Sequence, residues 1–153
     1  MKLKYLALSV CAAALMSCNS DKPVAADPTL KNILGDKFLV GVAINSEQAA
    51  GRDTSAVDVV RRHFNSIVAE NCMKSEVIHP EEDRYDFSLA DEFVKFGEDN
   101  GMFIIGHCLV WHSQLSPWFC VDADGKNVSP EVLKERLKSH IPVSYTHLRA
   151  HGL

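Results

Sequence analysis

Apolar positions change their period three times along the chain. Phe38-Leu39-Val40-Gly41-Val42-Ala43-Ile44 is an almost unbroken apolar run, the pattern of a strand covered on both faces, as parallel sheets require. Val57, Val60 and Phe64 then recur at helical spacing between Thr54 and Phe64, with Asp53 or Thr54 placed to cap that helix. A second strand is predicted at Ser66-Ile67-Val68-Ala69. After a polar loop, Ser88 offers a cap with Asp91 three residues later, and Leu89, Phe93 and Phe96 line one helical face. Asn100-Gly101 stops that helix. A third strand opens at Met102-Phe103-Ile104-Ile105-Gly106, its apolar character continuing to Trp111. A turn at Asp122–Gly125 leads to Ser129-Pro130, a cap followed by proline at the first helical position. Val132, Leu133, Arg136 and Leu137 carry that helix to about Ile141.

Strand and helix alternate three times, so the fold class is α/β with a parallel sheet and right-handed crossovers. An open doubly wound sheet and a (β/α)8 barrel both fit. No Gly-x-Gly-x-x-Gly fingerprint or P-loop follows any strand. Periodicity alone leaves the two architectures open.

The ends read differently from the middle. Lys2 and Lys4 precede an apolar run from Tyr5 to Met16, too short to span a bilayer (about 20 residues) and shaped like a secretory signal. Leu15-Met16-Ser17-Cys18 resembles the lipobox of bacterial lipoproteins, which implies a signal peptide over residues 1–17 and lipidation of Cys18. Residues 18–29 then form a polar tether. On this reading the chain crosses the inner membrane and is anchored by lipid to the cell envelope, at the outer membrane. At the other end, Val143-Ser144-Tyr145-Thr146-His147-Leu148-Arg149-Ala150-His151 resembles one translated frame of a transposon-end sequencing adapter. Residues 142–153 are therefore expected to be foreign to the domain, which would run over residues 30–141. A strand from Ile141 to Leu148 with a basic tail is the alternative.

The 153 residues are 24% charged and 46% hydrophobic, an ordinary globular composition that excludes collagen-like and low-complexity chains. Setting Lys2, Lys4 and Arg149 aside from the 16 basic residues leaves 13 against 20 acidic ones, a net of −7. Such an acidic domain suits a neutral ligand and offers no footprint for nucleic acid. Cys72, Cys108 and Cys120 read as inert, partly buried thiols. No His-Glu-x-x-His or paired Cys-x-x-Cys occurs, and His107 and His112 on a continuing strand would face opposite ways. Neither a metal nor a cofactor is expected.

Polar side chains of unusual kind gather after the second and third strands. Glu70, Asn71 and Lys74 follow the one; His107, Trp111, His112 and Gln114 follow the other. Ligands bind at this edge in both architectures. Carboxylate, amide, ammonium and imidazole beside an indole suit a sugar, whose hydroxyls need polar partners and whose ring needs an aromatic face. Plainer readings exist: a surface Glu70–Lys74 ion pair, a core His107, and core tryptophans at Trp111 and Trp118.

Here a resemblance becomes specific. Phe64-Asn65-Ser66-Ile67-Val68-Ala69-Glu70-Asn71-Cys72-Met73-Lys74 resembles the second-strand motif of glycoside hydrolase family 10, the endo-β-1,4-xylanases. Gly106-His107-Cys108-Leu109-Val110-Trp111-His112-Ser113-Gln114 resembles its third-strand motif, and Pro80-Glu81 and Tyr85–Asp91 keep the family's order between them. The resemblance implies a (β/α)8 barrel of which this chain holds about the first three βα units. It implies that Glu70, Asn71 and Lys74 bind the sugar on the non-reducing side of the cleaved bond. His107, Trp111, His112 and Gln114 would build the walls, with His112 also steadying the nucleophile. Xylan or a xylo-oligosaccharide is the implied partner. Cys72, Cys108 and Ser75 depart from the family pattern, and a Cys72–Cys108 disulfide is a further expectation carried by that pair. Retaining hydrolysis needs two carboxylates about 5–5.5 Å apart; the family places its two glutamates after the fourth and seventh strands, and neither segment occurs here. The expectation is a fragment of a retaining endo-1,4-β-xylanase, inactive alone. A non-catalytic carbohydrate-binding lipoprotein is the first rival, and a metal-dependent barrel hydrolase or open-sheet redox protein the second.

Overall fold

Two parallel ladders organise the computed structural model, which describes residues 28–149. β1 (Gly41–Ile44), β2 (Ser66–Ala69) and β3 (Phe103–Ile105) lie in the order β1-β2-β3. Gly41, Ser66 and Phe103 share one level; Val42, Ile67 and Ile104 share the next. The connections carry α2 (Ser46–Ala49) and α3 (Thr54–His63), then α4 (Ser75–Ile78) and α5 (Ser88–Asp99). Before them stands α1 (Leu30–Leu34); after β3 come a 3₁₀ turn, Pro117–Phe119, and α6 (Pro130–Arg149). Among the described residues, no helix is long and apolar enough to cross a membrane. The signal-like segment, Cys18 and most of the tether lie outside the described residues.

Burial separates the two faces of the sheet. Ile44, Ile67 and Ala69 are buried and, with Val42 and Ile104, pack into one core with Val57 and Val60 of α3 and Ala90, Phe93, Val94 and Phe96 of α5. Residues of the opposite parity on the outer strands are open: Phe103 is 59% and Ile105 45% exposed. The two-faced burial expected from the apolar runs is thus corrected to one-faced burial. Two right-handed crossovers in the order β1-β2-β3 pass over the same face, so helices cover one side only. In a barrel, the other face turns inward and is filled by side chains from the remaining strands. A doubly wound sheet would carry helices on both faces.

Several local expectations change with the structure. The first strand begins at Gly41, leaving Phe38 and Leu39 exposed. The third ends at Ile105, and the chain then loops past a cis peptide between His107 and Cys108. Asp53 caps α3 through its carboxylate and the Ala56 N–H at 3.3 Å. Ser88 is the first helical residue of α5 and not its cap; Asp86 Oδ1 instead accepts from its N–H at 3.0 Å and its hydroxyl at 2.6 Å. Leu89 faces solvent more than Ala90 or Phe93 does. α6 does not stop near Ile141 and forms no strand; it runs through Pro142 to Arg149 and buries His140, Ser144 and Leu148. Val132, expected on its core face, is exposed.

Gly97 sets how closely α5 approaches the sheet. A Cβ there would stand 2.5 Å from Ile104 Cγ1 and 3.1 Å from Ile67 Cδ1. At the end of the same helix, Gly101 adopts φ +60°, the left-handed turn that ends the helix. Cys72, Cys108 and Cys120 are all free thiols, so no Cys72–Cys108 bridge forms. Burial pushes the Cys72 thiol up to about 11, and burial also raises Cys108, whereas Cys120 is exposed.

Gly97→Val should destabilise the chain by about 1–3 kcal/mol through overpacking, read as a lower urea midpoint with an unchanged m-value. Iodoacetamide at pH 7.5 should alkylate Cys120 first and Cys72 last, because the thiolate is the reacting form; peptide mass mapping over time gives the order.

Candidate functional site

The C-terminal edge of a parallel sheet collects the loops that follow each strand, and here it collects the predicted polar residues. Glu70 leaves β2 with its N–H donating to the Ile44 carbonyl at 3.0 Å and its side chain exposed. The chain then turns through Asn71–Lys74 into α4, aided by the Lys74 N–H donating to the Asn71 carbonyl at 2.9 Å. After β3, residues 106–116 form the facing loop.

Lys74 is the centre of the cluster. It is 6% exposed, and its ammonium donates to Asn71 Oδ1 at 2.8 Å and to Gln114 Oε1. The same Nζ sits 4.4 Å from the centroid of the Trp111 ring, within cation–π range. Among the described residues no Glu70–Lys74 ion pair forms, so the plain surface-pair reading fails. The ammonium is held by two carboxamide oxygens and an indole face, with no carboxylate among its direct hydrogen-bond partners in the described residues. Burying such a cation is costly unless it is well hydrogen-bonded.

Gln114 completes the cluster at a strained position. Its φ of 54° lies in the left-handed region, which costs a non-glycine residue about 1–2 kcal/mol. Two contacts hold its backbone there: the Glu76 N–H donates to its carbonyl at 3.1 Å, and Ser75 Oγ stands 3.4 Å from the same oxygen. Its side-chain Nε2 donates to Glu76 Oε1 at 2.9 Å and Asn71 Oδ1 at 3.2 Å. The amide orientation is therefore determined, since Oε1 must face the ammonium and Nε2 the two acceptors.

His107 and His112 both meet Trp111 edge-on, with ring centroids 5.8 and 5.5 Å away. The continuing strand expected to carry both is corrected, because β3 ends at Ile105 and the two residues lie in the loop that follows. All three side chains are exposed, so neither His107 nor Trp111 is a core residue. Among the described residues, no three His, Cys, Asp or Glu side chains gather as a metal-binding group.

A second layer escaped sequence reasoning. Glu76 lies at the start of α4, in a stretch where the sequence marked no acid for a role, yet it grips Gln114 from both backbone and side chain. Ser75, noted only as a departure, is 5% exposed and supports the same carbonyl. Ser116 Oγ lies 2.9 Å from the Ser75 carbonyl oxygen and 2.7 Å from that of His79, and Trp118 Nε1 donates to the His79 carbonyl at 3.0 Å. Arg136 reaches from α6 to the carbonyls of Trp118 and Val121 and pairs with Glu82 at 3.2 Å. These contacts join residues some 15 to 54 positions apart, which no local pattern shows.

Known proteins place this geometry in a family. The profile of glycosyl hydrolase family 10 matches residues 29–151. Endo-1,4-beta-xylanase A of Xylanibacter ruminicola is 52% identical over 123 residues, covering 78% of this chain and 33% of that protein. The crystal structure of the intracellular xylanase TsXylA from Thermoanaerobacterium saccharolyticum superposes with a TM-score of 0.75 at 34% identity, covering 82% of this chain and 39% of the other. A mutant protein solved in complex with xylotriose superposes at 0.73, also 34% identical, covering 81% and 37%. The chain spans about a third of the length of the curated relative it matches at 52%. With a family profile over most of its length and barrel structures over its three strands, the chain, a partial (β/α)8 barrel, belongs to glycosyl hydrolase family 10.

Proposed function

We propose that this chain is the non-reducing-side sugar-binding part of a retaining endo-1,4-β-xylanase acting on β-1,4-xylosidic bonds. The single observation that carries this reading is the Asn71–Lys74–Gln114–Trp111 cluster at the C-terminal edge of the sheet. Its donors and acceptors are preorganised by one another. Xylose hydroxyls would share the Lys74 ammonium and the Asn71 and Gln114 amides, while the Trp111 face covers the apolar side of a ring. Glu70, exposed at the end of β2, would accept from a sugar hydroxyl. His107 and His112, braced against Trp111, would wall the site beside the cleaved bond. The names of the relatives and the xylotriose complex support the ligand class. Cys18 would attach the protein to the cell envelope.

Catalysis would need two carboxylates from later strands, one to protonate the leaving oxygen and then activate water, the other to form the glycosyl intermediate. On this reading Glu70 replaces neither, because it would bind the sugar.

Two outcomes follow for this reading. In isothermal titration with xylohexaose, the 153-residue chain should bind, and Lys74→Met should weaken binding by roughly 10- to 100-fold, the loss of a charged hydrogen bond (about 1.5–3 kcal/mol). Unchanged affinity in a variant with a native circular-dichroism spectrum would sink the assignment of Lys74. In a reducing-sugar assay on xylan, the chain alone should release no product above buffer, whereas the complete gene product should cleave with retention at the anomeric carbon. Inversion, followed by proton NMR, would exclude the two-step mechanism.

A further inference from the structure

Four imidazole nitrogens meet at one buried spot and impose a proton count. His79, just after α4, is 0% exposed and His140, on α6, 1%; their rings lie near parallel with centroids 5.2 Å apart. His79 Nε2 stands 3.0 Å from the Glu82 carbonyl oxygen, and His140 Nε2 2.9 Å from that of Leu109. A carbonyl oxygen only accepts, so each Nε2 must carry a proton. The two Nδ1 atoms then face each other at 3.0 Å. If both rings were neutral, both Nδ1 atoms would be bare acceptors, lone pair against lone pair. Ser144 Oγ, 3.4 Å from His140 Nδ1, has one hydrogen to offer and would still leave His79 Nδ1 without a donor. A third ring proton between the two Nδ1 atoms removes the conflict.

We propose that His79 and His140 hold one proton between them as a monocationic pair, and that this pair clamps the loop bearing Trp111 and Gln114 to α4 and α6. The clamp acts through the Leu109 carbonyl, which lies in that loop between His107 and Trp111. It stands independently of which ligand the loop binds.

Burial lowers each imidazole taken singly, and charge on His79 further disfavours charge on His140. The Glu82 carbonyl and the Glu82 and Asp83 carboxylates act the other way on His79, as does the Leu109 carbonyl on His140. Tyr85 stacks on His79 at 3.8 Å, and Trp118 and Phe119 present their rings at an angle. From α6, Arg136 lies 5.5 Å over the Trp118 ring and is paired with Glu82, and Ser144 is uncharged. Coupled imidazoles titrate as a unit. The shared proton should therefore leave both rings in a single step.

Nitrogen-15 NMR of the histidine-labelled full chain between pH 5 and 9 tests this without any substitution. The expected result is a nitrogen–nitrogen coupling across a hydrogen bond between two Nδ1 nuclei, lost on raising pH with one midpoint common to both rings. His79 and His140 titrating independently, with no nitrogen–nitrogen coupling at any pH in that range, would overturn the proposal. As a second readout, His140→Asn supplies a neutral donor to His79 Nδ1 and should abolish the tryptophan fluorescence change between pH 6 and 9. A change of wild-type size in the folded variant would also overturn it.

Discussion

Parallel strands cannot be joined by a tight turn, so each pairing in this chain requires a crossover, and both crossovers pass over one face of β1-β2-β3. That constraint decides what the core is. Ile67 and Ile104 meet α5 where Gly97 removes the side chain that would hold the helix away, and the apolar residues of that parity are buried or half-buried in the core while Phe103 and Ile105 of the other parity are exposed. It also decides where chemistry can sit. Every strand ends at the same edge, so the segments after β2 and β3, some 40 residues apart in sequence, lie against one another there.

Electrostatics at that edge are of an unusual kind. Lys74 is buried against carboxamides and an indole ring instead of a carboxylate. A carboxylate partner would neutralise the ammonium and compete with any ligand; carboxamides orient it and leave the charge available to a neutral, oxygen-rich molecule. Keeping Gln114 in the left-handed region requires support from outside its own loop, and Glu76 and Ser75 supply it from α4. The site is thus a property of two loops and a short helix locked together, with the His79, Ser116, Trp118 and Arg136 contacts forming the layer beneath.

The three strand–helix units, α3 and α5 close to their observed limits, and the gathering of Asn71, Lys74, Trp111 and Gln114 at the sheet edge were legible in the order of residues. Those signals are local: hydrophobic period, capping acids, and short motifs whose spacing survives in one dimension. Less legible were the ends of strands. Phe38 and Leu39 before β1, and the residues from Gly106 to Trp111 after β3, continue the apolar pattern, yet pairing with β2 begins at Gly41 and ends at Ile105. The same limitation hid the extension of α6 to Arg149, because burial of Ser144 and Leu148 is supplied by other parts of the fold.

What the order of residues determined, then, was the element sequence, the family motifs and the chemical types available at the sheet edge, because each depends on neighbours within a few positions. Tertiary structure decided which face of the sheet is covered, that His107 and His112 both touch Trp111, and that Glu76 serves Gln114. It also brought His79 and His140 together across 61 positions. Such contacts are short in space and long in sequence, and only the closed geometry of crossovers and loops brings their atoms within hydrogen-bonding distance.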